Sequence, residues 1–255
     1  MLCSLYKYLW TARKSCTYRT EARVQLSDAG FMNSGGITMT LSIKDPGSAI
    51  THFIGMLLAA AASTPLLMTA ARHNGGHSVL PLAVFALSMI LLYGASTVYH
   101  TLNISEKINR LLRKIDHMMI FILIAGSYTP VCMIPLRDTA GIPLLVLVWG
   151  TAIAGILIKA FWITCPKWFS SLIYISMGWL CVLAMVPLVS SLPTAAFLWL
   201  VAGGVIYTIG GIIYALKLPF FNARHQYFGS HEIFHLFVMG GSLCHFVVMF
   251  YIAYM

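Results

Sequence analysis

Seven long apolar stretches, separated by short polar connections, constrain this chain more than any other feature. They fall at about 50–71, 79–101, 116–136, 141–163, 171–191, 195–216 and 231–254. Each is long enough to cross a bilayer as a helix, which takes ~20 residues. A chain in hydrocarbon must satisfy its own backbone hydrogen bonds, so it spans as helices or as a closed barrel. Barrel strands would alternate apolar and polar residues over ~10-residue segments, and no such alternation is present. The expected fold is therefore all-α, a polytopic bundle of seven transmembrane helices. Composition agrees: 59% of residues are apolar and only 9% are charged, too little polar surface to coat a soluble body.

The net charge of +9 does not point to nucleic acid, because the basic residues lie between apolar runs instead of forming one face. They set orientation instead. With seven spans, Lys44, Lys107, Arg110, Arg113, Lys114, Lys159, Lys167, Lys217 and Arg224 share one side, whereas the other side holds Arg72 and Arg137. That asymmetry predicts a cytoplasmic N-terminus and an external C-terminus. Connections are read at Gly75-Gly76, Glu106 to Lys114, Arg137-Asp138, Cys165-Pro166-Lys167, Leu192-Pro193-Thr194 and Lys217 to Gly229. Pro65 and Pro187 fall inside spans, which membrane helices tolerate. The pairs Gly203-Gly204, Gly210-Gly211 and Gly240-Gly241 would let helices approach closely.

Two regions are expected. Residues 1–44 form a basic leader with no apolar core of signal-peptide length, either an amphipathic or disordered segment or sequence upstream of a true start at Met39. Residues 45–255 form the membrane domain. The six cysteines (Cys3, Cys16, Cys132, Cys165, Cys181 and Cys244) are scattered and include no C-x-x-C pair. They indicate neither a disulfide framework nor a thiolate metal site.

An ionisable side chain inside a span is costly and is a functional candidate by default. The topology puts His52 at the opening of span one, Ser96 and His100 near the end of span two, Asp116 at the start of span three, and His231 and His235 at the opening of span seven. All fall at the cytoplasmic level. Ser96 and His100 are i,i+4, as are His231 and His235, so each pair shares a helix face. Two histidines on one face and a third from another helix suit Zn²⁺, with a fourth position left for water. Asp116, within reach, would orient that water and accept its proton. Ser96 would hydrogen-bond the water, an oxyanion or a backbone carbonyl. Each group alone also has a structural reading: interfacial histidines, or an acid favoured at a helix N-terminus. Their convergence on one level favours the metal site.

Residues 231–235 also read His-Glu-Ile-Phe-His, matching the H-E-x-x-H pattern of zinc proteases with Glu232 as general base. An acid in a first helical turn has its own electrostatic reason, and no Asp or Glu follows Glu232 as a further ligand. His245 lies ten residues beyond His235, ~15 Å along a helix and too far to share its metal. His117 points ~100° away from Asp116. His73, His77 and His225 fall in connections.

The runs Ser96-Thr97-Val98-Tyr99-His100, Lys114-Ile115-Asp116-His117, Ala125-Gly126-Ser127-Tyr128-Thr129-Pro130 and His231-Glu232-Ile233-Phe234-His235 resemble the conserved motifs of the hemolysin III family. That family lies within the progestin/adiponectin receptor superfamily and is similar, more loosely, to the alkaline ceramidases. The resemblance covers about residue 45 to the C-terminus. It implies zinc held by His100, His231 and His235, with Asp116 acting on water and Ser96 nearby, in a bacterial plasma membrane. Relatives often place Glu and Asn ahead of the span-one histidine, where this chain has Asp45 and Ser48, so the resemblance assigns His52 no role. It also implies no required base at Glu232. The function expected is a zinc-dependent hydrolase of lipid amides or esters, with ceramide-like amides as the family-based substrate. Membrane lipid is the expected substrate or ligand, nucleic acid is not, and no protein partner is indicated. A membrane-active cytolysin and a non-enzymatic regulator with structural zinc are the competing readings.

Overall fold

The computed structural model describes residues 43–73, 76–216 and 229–255. The basic leader with Cys3 and Cys16, Gly75, and the connection carrying Lys217, Arg224 and His225 lie outside the described residues. Seven helical segments are long and apolar enough to cross a membrane. These are α1 (Pro46–Arg72), α2 (Val79–Thr101), α3 (Glu106–Met133), α4 (Gly141–Phe161), the compound segment Lys167–Ser191, α7 (Thr194–Leu216) and α8 (Ser230–Ala253). The described residues contain no strand. The expected seven-span bundle is the fold.

The bundle turns a soluble protein's pattern inside out. Leu80, Val146, Leu183 and Val186 are exposed on outward faces, where lipid replaces water. Inward faces are built largely of small and polar residues. In α1 the buried set is Ser48, Ala49, His52, Gly55, Ala59, Ser63, Leu66 and Ala70, a three- and four-residue spacing that forms one stripe. Lipid tails are as apolar as leucine, so association rests on close packing and hydrogen bonds. Glycines supply the closeness. A Cβ on Gly210 would stand 2.6 Å from Phe237 Cβ, and one on Gly241 would stand 2.7 Å from the Tyr207 ring. Gly203 faces the His245 ring just as tightly, whereas Gly204 faces open space. The α7–α8 seam is therefore tightest at Gly203, Gly210 and Gly241, with Gly240 in ordinary contact with Ile206.

Two boundaries differ from the sequence expectation. Span three begins ten residues early: Glu106 to Lys114 is helix, not connection, and Asp116 lies about 15 Å inside α3 instead of opening it. Ser105 caps that helix by accepting from the Ile108 amide at 3.3 Å, and Glu106 in the first turn suits the helix dipole. Charges do not end a helix. Lys114 then reaches across to the Ala160 carbonyl at 2.5 Å, near the end of α4.

Span five is not one continuous α-helix. It runs as α5 (Lys167–Gly178), a 3₁₀ turn (Trp179–Ala184) and α6 (Met185–Ser191). The break lies well before Pro187, at Gly178. Tyr128 of α3 serves the groups it frees: its hydroxyl donates to the Gly178 carbonyl at 2.6 Å and accepts from the Cys181 amide at 2.9 Å. Irregular backbone at membrane depth requires such partners.

The α3–α4 connection is tight. A side chain at Gly141 would collide with the backbone carbonyls of Cys132 and Leu136. At the opposite end, Asp45 N donates to the His100 carbonyl at 2.9 Å, which ties the entry of α1 to the exit of α2. This end, where α1, α3, α5 and α8 begin, carries Lys44, Lys107, Arg110, Arg113, Lys114, Lys159 and Lys167 and is called the basic end below.

Candidate metal centre

His100 sits in the last turn of α2, and His231 and His235 in the first two turns of α8. The i,i+4 pair projects from one side of α8 toward the end of α2. One ligand atom from each of the three imidazoles lies within 4.8 Å of the other two. His100 Nε2 and His231 Nε2 are 3.2 Å apart. Two nitrogens bound tetrahedrally to zinc at 2.0–2.1 Å would be separated by about 3.3 Å. Ring centroids are 4.9 Å apart for His100 and His231, 5.1 Å for His100 and His235, and 4.6 Å for His231 and His235. These three residues could hold a metal ion.

The surroundings fit that use. His100 Nδ1 is bonded to Asp45 Oδ2 at 2.9 Å, so Nε2 is the nitrogen turned toward the other imidazoles. A carboxylate behind a ligand histidine fixes its tautomer and raises its basicity. The Nδ1 atoms of His231 and His235 are buried without a hydrogen-bond partner. Two buried imidazoles and one partly buried, converging without carboxylates among them, have little purpose as neutral packing.

Asp116 on α3 is buried and is not among the mutually close ligand atoms. It lines the same cavity as His231, His235 and Ser96, a placement suited to acting on a bound water or substrate. The structure thus clusters His100, His231 and His235 and sets Ser96 and Asp116 along the cavity that His231 and His235 also line. His117 faces this cavity as well, because the cavity wraps around α3 far enough to include both neighbours.

Glu232 is occupied elsewhere. Its Oε2 accepts from the Gly229 amide at 2.7 Å and its Oε1 from Ser48 Oγ at 3.0 Å. It closes the first turn of α8 and joins it to α1, the structural alternative to a protease base.

The sequence marked His52 as a candidate but did not reveal what Asp45 and Ser48 contribute from the same end of α1. His52 is buried and stacks on His235, with ring centroids 3.8 Å apart and planes 18° from parallel. Asp45 supports His100 and Ser48 holds Glu232, so the site's outer layer comes from one turn of chain. The only signal for it was that Asp45 and Ser48 stand where relatives carry other polar residues.

From the histidines a cavity of about 1170 Å³, including its open part, runs along α3, α5, α7 and α8. Its lining reaches His245, ten residues and ~15 Å beyond His235, about half the ~30 Å hydrocarbon thickness. Between those levels the walls are mostly apolar, including Leu92, Ile120, Ile124, Ile175 and Val238. Among the described residues no lysine or arginine lines it. A second cavity of about 610 Å³ shares Ser127, Tyr128, Trp179 and His245 with the first and continues toward Leu188 and Phe197.

Residues 42–246 match the family described as haemolysin-III related. The chain belongs to that family. It is 40% identical over 210 residues to the hemolysin-3 homolog of Bacillus subtilis (strain 168), covering 82% of this chain and 94% of that one. Hemolysin-3 of Bacillus cereus is 40% identical over 217 residues, covering 84% and 94%. An adiponectin receptor protein of Drosophila melanogaster is 22% identical over 285 residues, covering 93% of this chain and 60% of that one. This haemolysin-III-related chain is accordingly a multi-pass protein of the cell membrane within the adiponectin receptor superfamily.

Proposed function

We propose that this protein is a zinc-dependent hydrolase of lipid amides or esters, working at the basic end of the bundle with that end cytoplasmic. The observation that carries the reading is the three-imidazole group opening onto an apolar cavity that also holds Asp116. His100, His231 and His235 would hold the ion, with Asp45 fixing the His100 tautomer. Zinc in such a site polarises a substrate carbonyl and activates water at neutral pH. The Asp116 carboxylate accepts the proton of the attacking water and delivers it to the leaving amine or alkoxide. The Ser96 hydroxyl donates to the oxygen that gains charge on the former carbonyl. The apolar walls take the acyl chain and exclude bulk water. Ceramide-like amides are the first substrates to try, in keeping with the superfamily.

Zinc stoichiometry, measured by elemental analysis of detergent-purified protein beside His100→Ala, His231→Ala and His235→Ala, tests the site. About one zinc in the parent, lost in all three variants, supports it. Product detection by mass spectrometry over a panel of lipid amides and esters then tests the chemistry. A zinc-loaded parent that turns over nothing in the panel refutes the hydrolase and favours a regulator in which the metal is structural.

The names of the Bacillus relatives motivate a second reading, membrane lysis. Lysis on overexpression that persists in the triple histidine variant would support direct permeabilisation; lysis lost with the histidines would tie it to the metal site.

A further inference from the structure

We propose that Ser170 and Ser171, with Lys159 behind Ser170, form an oxyanion subsite in the cavity wall, which takes the phosphate of an anionic lipid. This rests on the reading of the cavity as a lipid-substrate pocket and names the class of lipid. Lys159, in the last turn of α4, is 2% exposed. Its Nζ donates to Ser170 Oγ at 2.5 Å and to Cys165 Sγ at 3.1 Å. Among the described residues it has no carboxylate partner, the one ion pair being Asp45 with His100. A buried cation with only neutral partners is expensive. The C-terminal end of α4 offsets part of that cost, and an anion nearby would offset the rest.

The cavity is where such an anion fits. Ser170 and Ser171 both line it and are both buried. Ser170 Oγ accepts from Lys159, so its own proton is free to be donated. The acceptors within the protein are poor: Cys165 Sγ at 3.2 Å and the Pro166 carbonyl at 3.4 Å. Ser171 Oγ is buried with no partner, and so is His117 Nδ1 on the facing helix, which also lines the cavity. Two hydroxyls and an imidazole along this one cavity are thus available as donors. A carbonyl oxygen would satisfy one or two of them, whereas a phosphate has oxygens for all three. The phosphate would sit on α5 beside the histidine group, with the acyl chain running on toward His245.

The test uses full-length protein in a neutral detergent, stripped of metal by a chelator so that no anion can bind at zinc. Thermal stability and affinity are measured with dodecyl phosphate, dodecanol and inorganic phosphate. Dodecyl phosphate should bind at least tenfold more tightly than dodecanol. Inorganic phosphate should compete with it weakly if the headgroup carries the recognition, and should match it if free phosphate is the true ligand. Lys159→Met should leave the ligand-free melting temperature unchanged or raise it, since a buried charge is removed. It should also reduce the phosphate preference by about tenfold or more. Ser170→Ala keeps the lysine and should weaken dodecyl phosphate alone, so it decides the matter should Lys159→Met fail to fold. Equal binding of phosphate and alcohol, or parent-like preference in Ser170→Ala, overturns the subsite. Phosphate preference without turnover would sink the hydrolase and leave the subsite standing. Turnover of neutral lipids without phosphate preference would do the reverse.

Discussion

Asp45→Asn separates the supporting layer of the metal centre from its ligands. The carboxylate lies 2.9 Å from His100 Nδ1, while its own backbone amide is held by the His100 carbonyl at 2.9 Å. Asparagine keeps that backbone bond and can still accept from Nδ1 through its amide oxygen; what is lost is the charge. Removing such a partner typically lowers metal affinity ten- to a hundredfold, or about 1.4–2.7 kcal/mol. The Asp45 side chain is 41% exposed, and solvent weakens the contribution of its charge, so the effect belongs near tenfold. A competition titration of zinc against a chromophoric chelator, in detergent, measures it directly, with His100→Ala as the reference for full loss. Affinity within twofold of the parent would refute the argument that Asp45 tunes His100. Loss as complete as in His100→Ala would refute it differently, by making Asp45 a ligand.

Tyr128→Phe should cost about 2–4 kcal/mol, because it leaves the Gly178 carbonyl and the Cys181 amide unsatisfied at the break in span five; unchanged thermal unfolding in detergent would contradict this. Gly141→Ala should destabilise by about 1–3 kcal/mol or more, since the new methyl meets backbone carbonyls that cannot rotate away, and a parent-like melting temperature would be the contrary result. Glu232→Gln should retain the full zinc complement and whatever turnover the parent shows, because the glutamate caps α8 and holds Ser48. Loss of turnover with zinc retained would restore Glu232 as a general base.

Much of this molecule could be read before its fold was seen. Span length and the i,i+4 spacing of His231 and His235 are local signals: the first gave the seven spans, and the second put both histidines on one face of α8. The start of α3 could not be read that way. Hydropathy reports where lipid begins, whereas the helix begins at its cap, and Ser105 lies eleven residues before the apolar run that opens at 116. The break at Gly178 left no strong mark either, since a helix with Pro187 near its end invites attention to the proline. What stabilises the break is Tyr128, fifty residues away in sequence. The Asp45–His100 and Ser48–Glu232 pairs are equally non-local, separated by 55 and 184 residues, and only a folded chain brings them together. Lys159 was counted as one more cation at the cytoplasmic side, although it falls inside the 141–163 stretch, the mark that sets it apart from lysines in water.

The histidines and the cavity wall opposite them belong to different parts of the bundle. His231 and His235 ride on α8, which is fitted closely against α7 through Gly203, Gly210 and Gly241. The wall carrying Ser170, Tyr174 and Ile175 rides on α5 and continues to Trp179 at the start of the 3₁₀ turn, a segment that supplies none of the three clustered histidines. Changes on α5 can therefore reshape what the cavity accepts without disturbing the helix that carries two of the three imidazoles. A lineage, or a laboratory library, exploring new lipids has a natural place to vary: residues 170–179, with α8 left untouched.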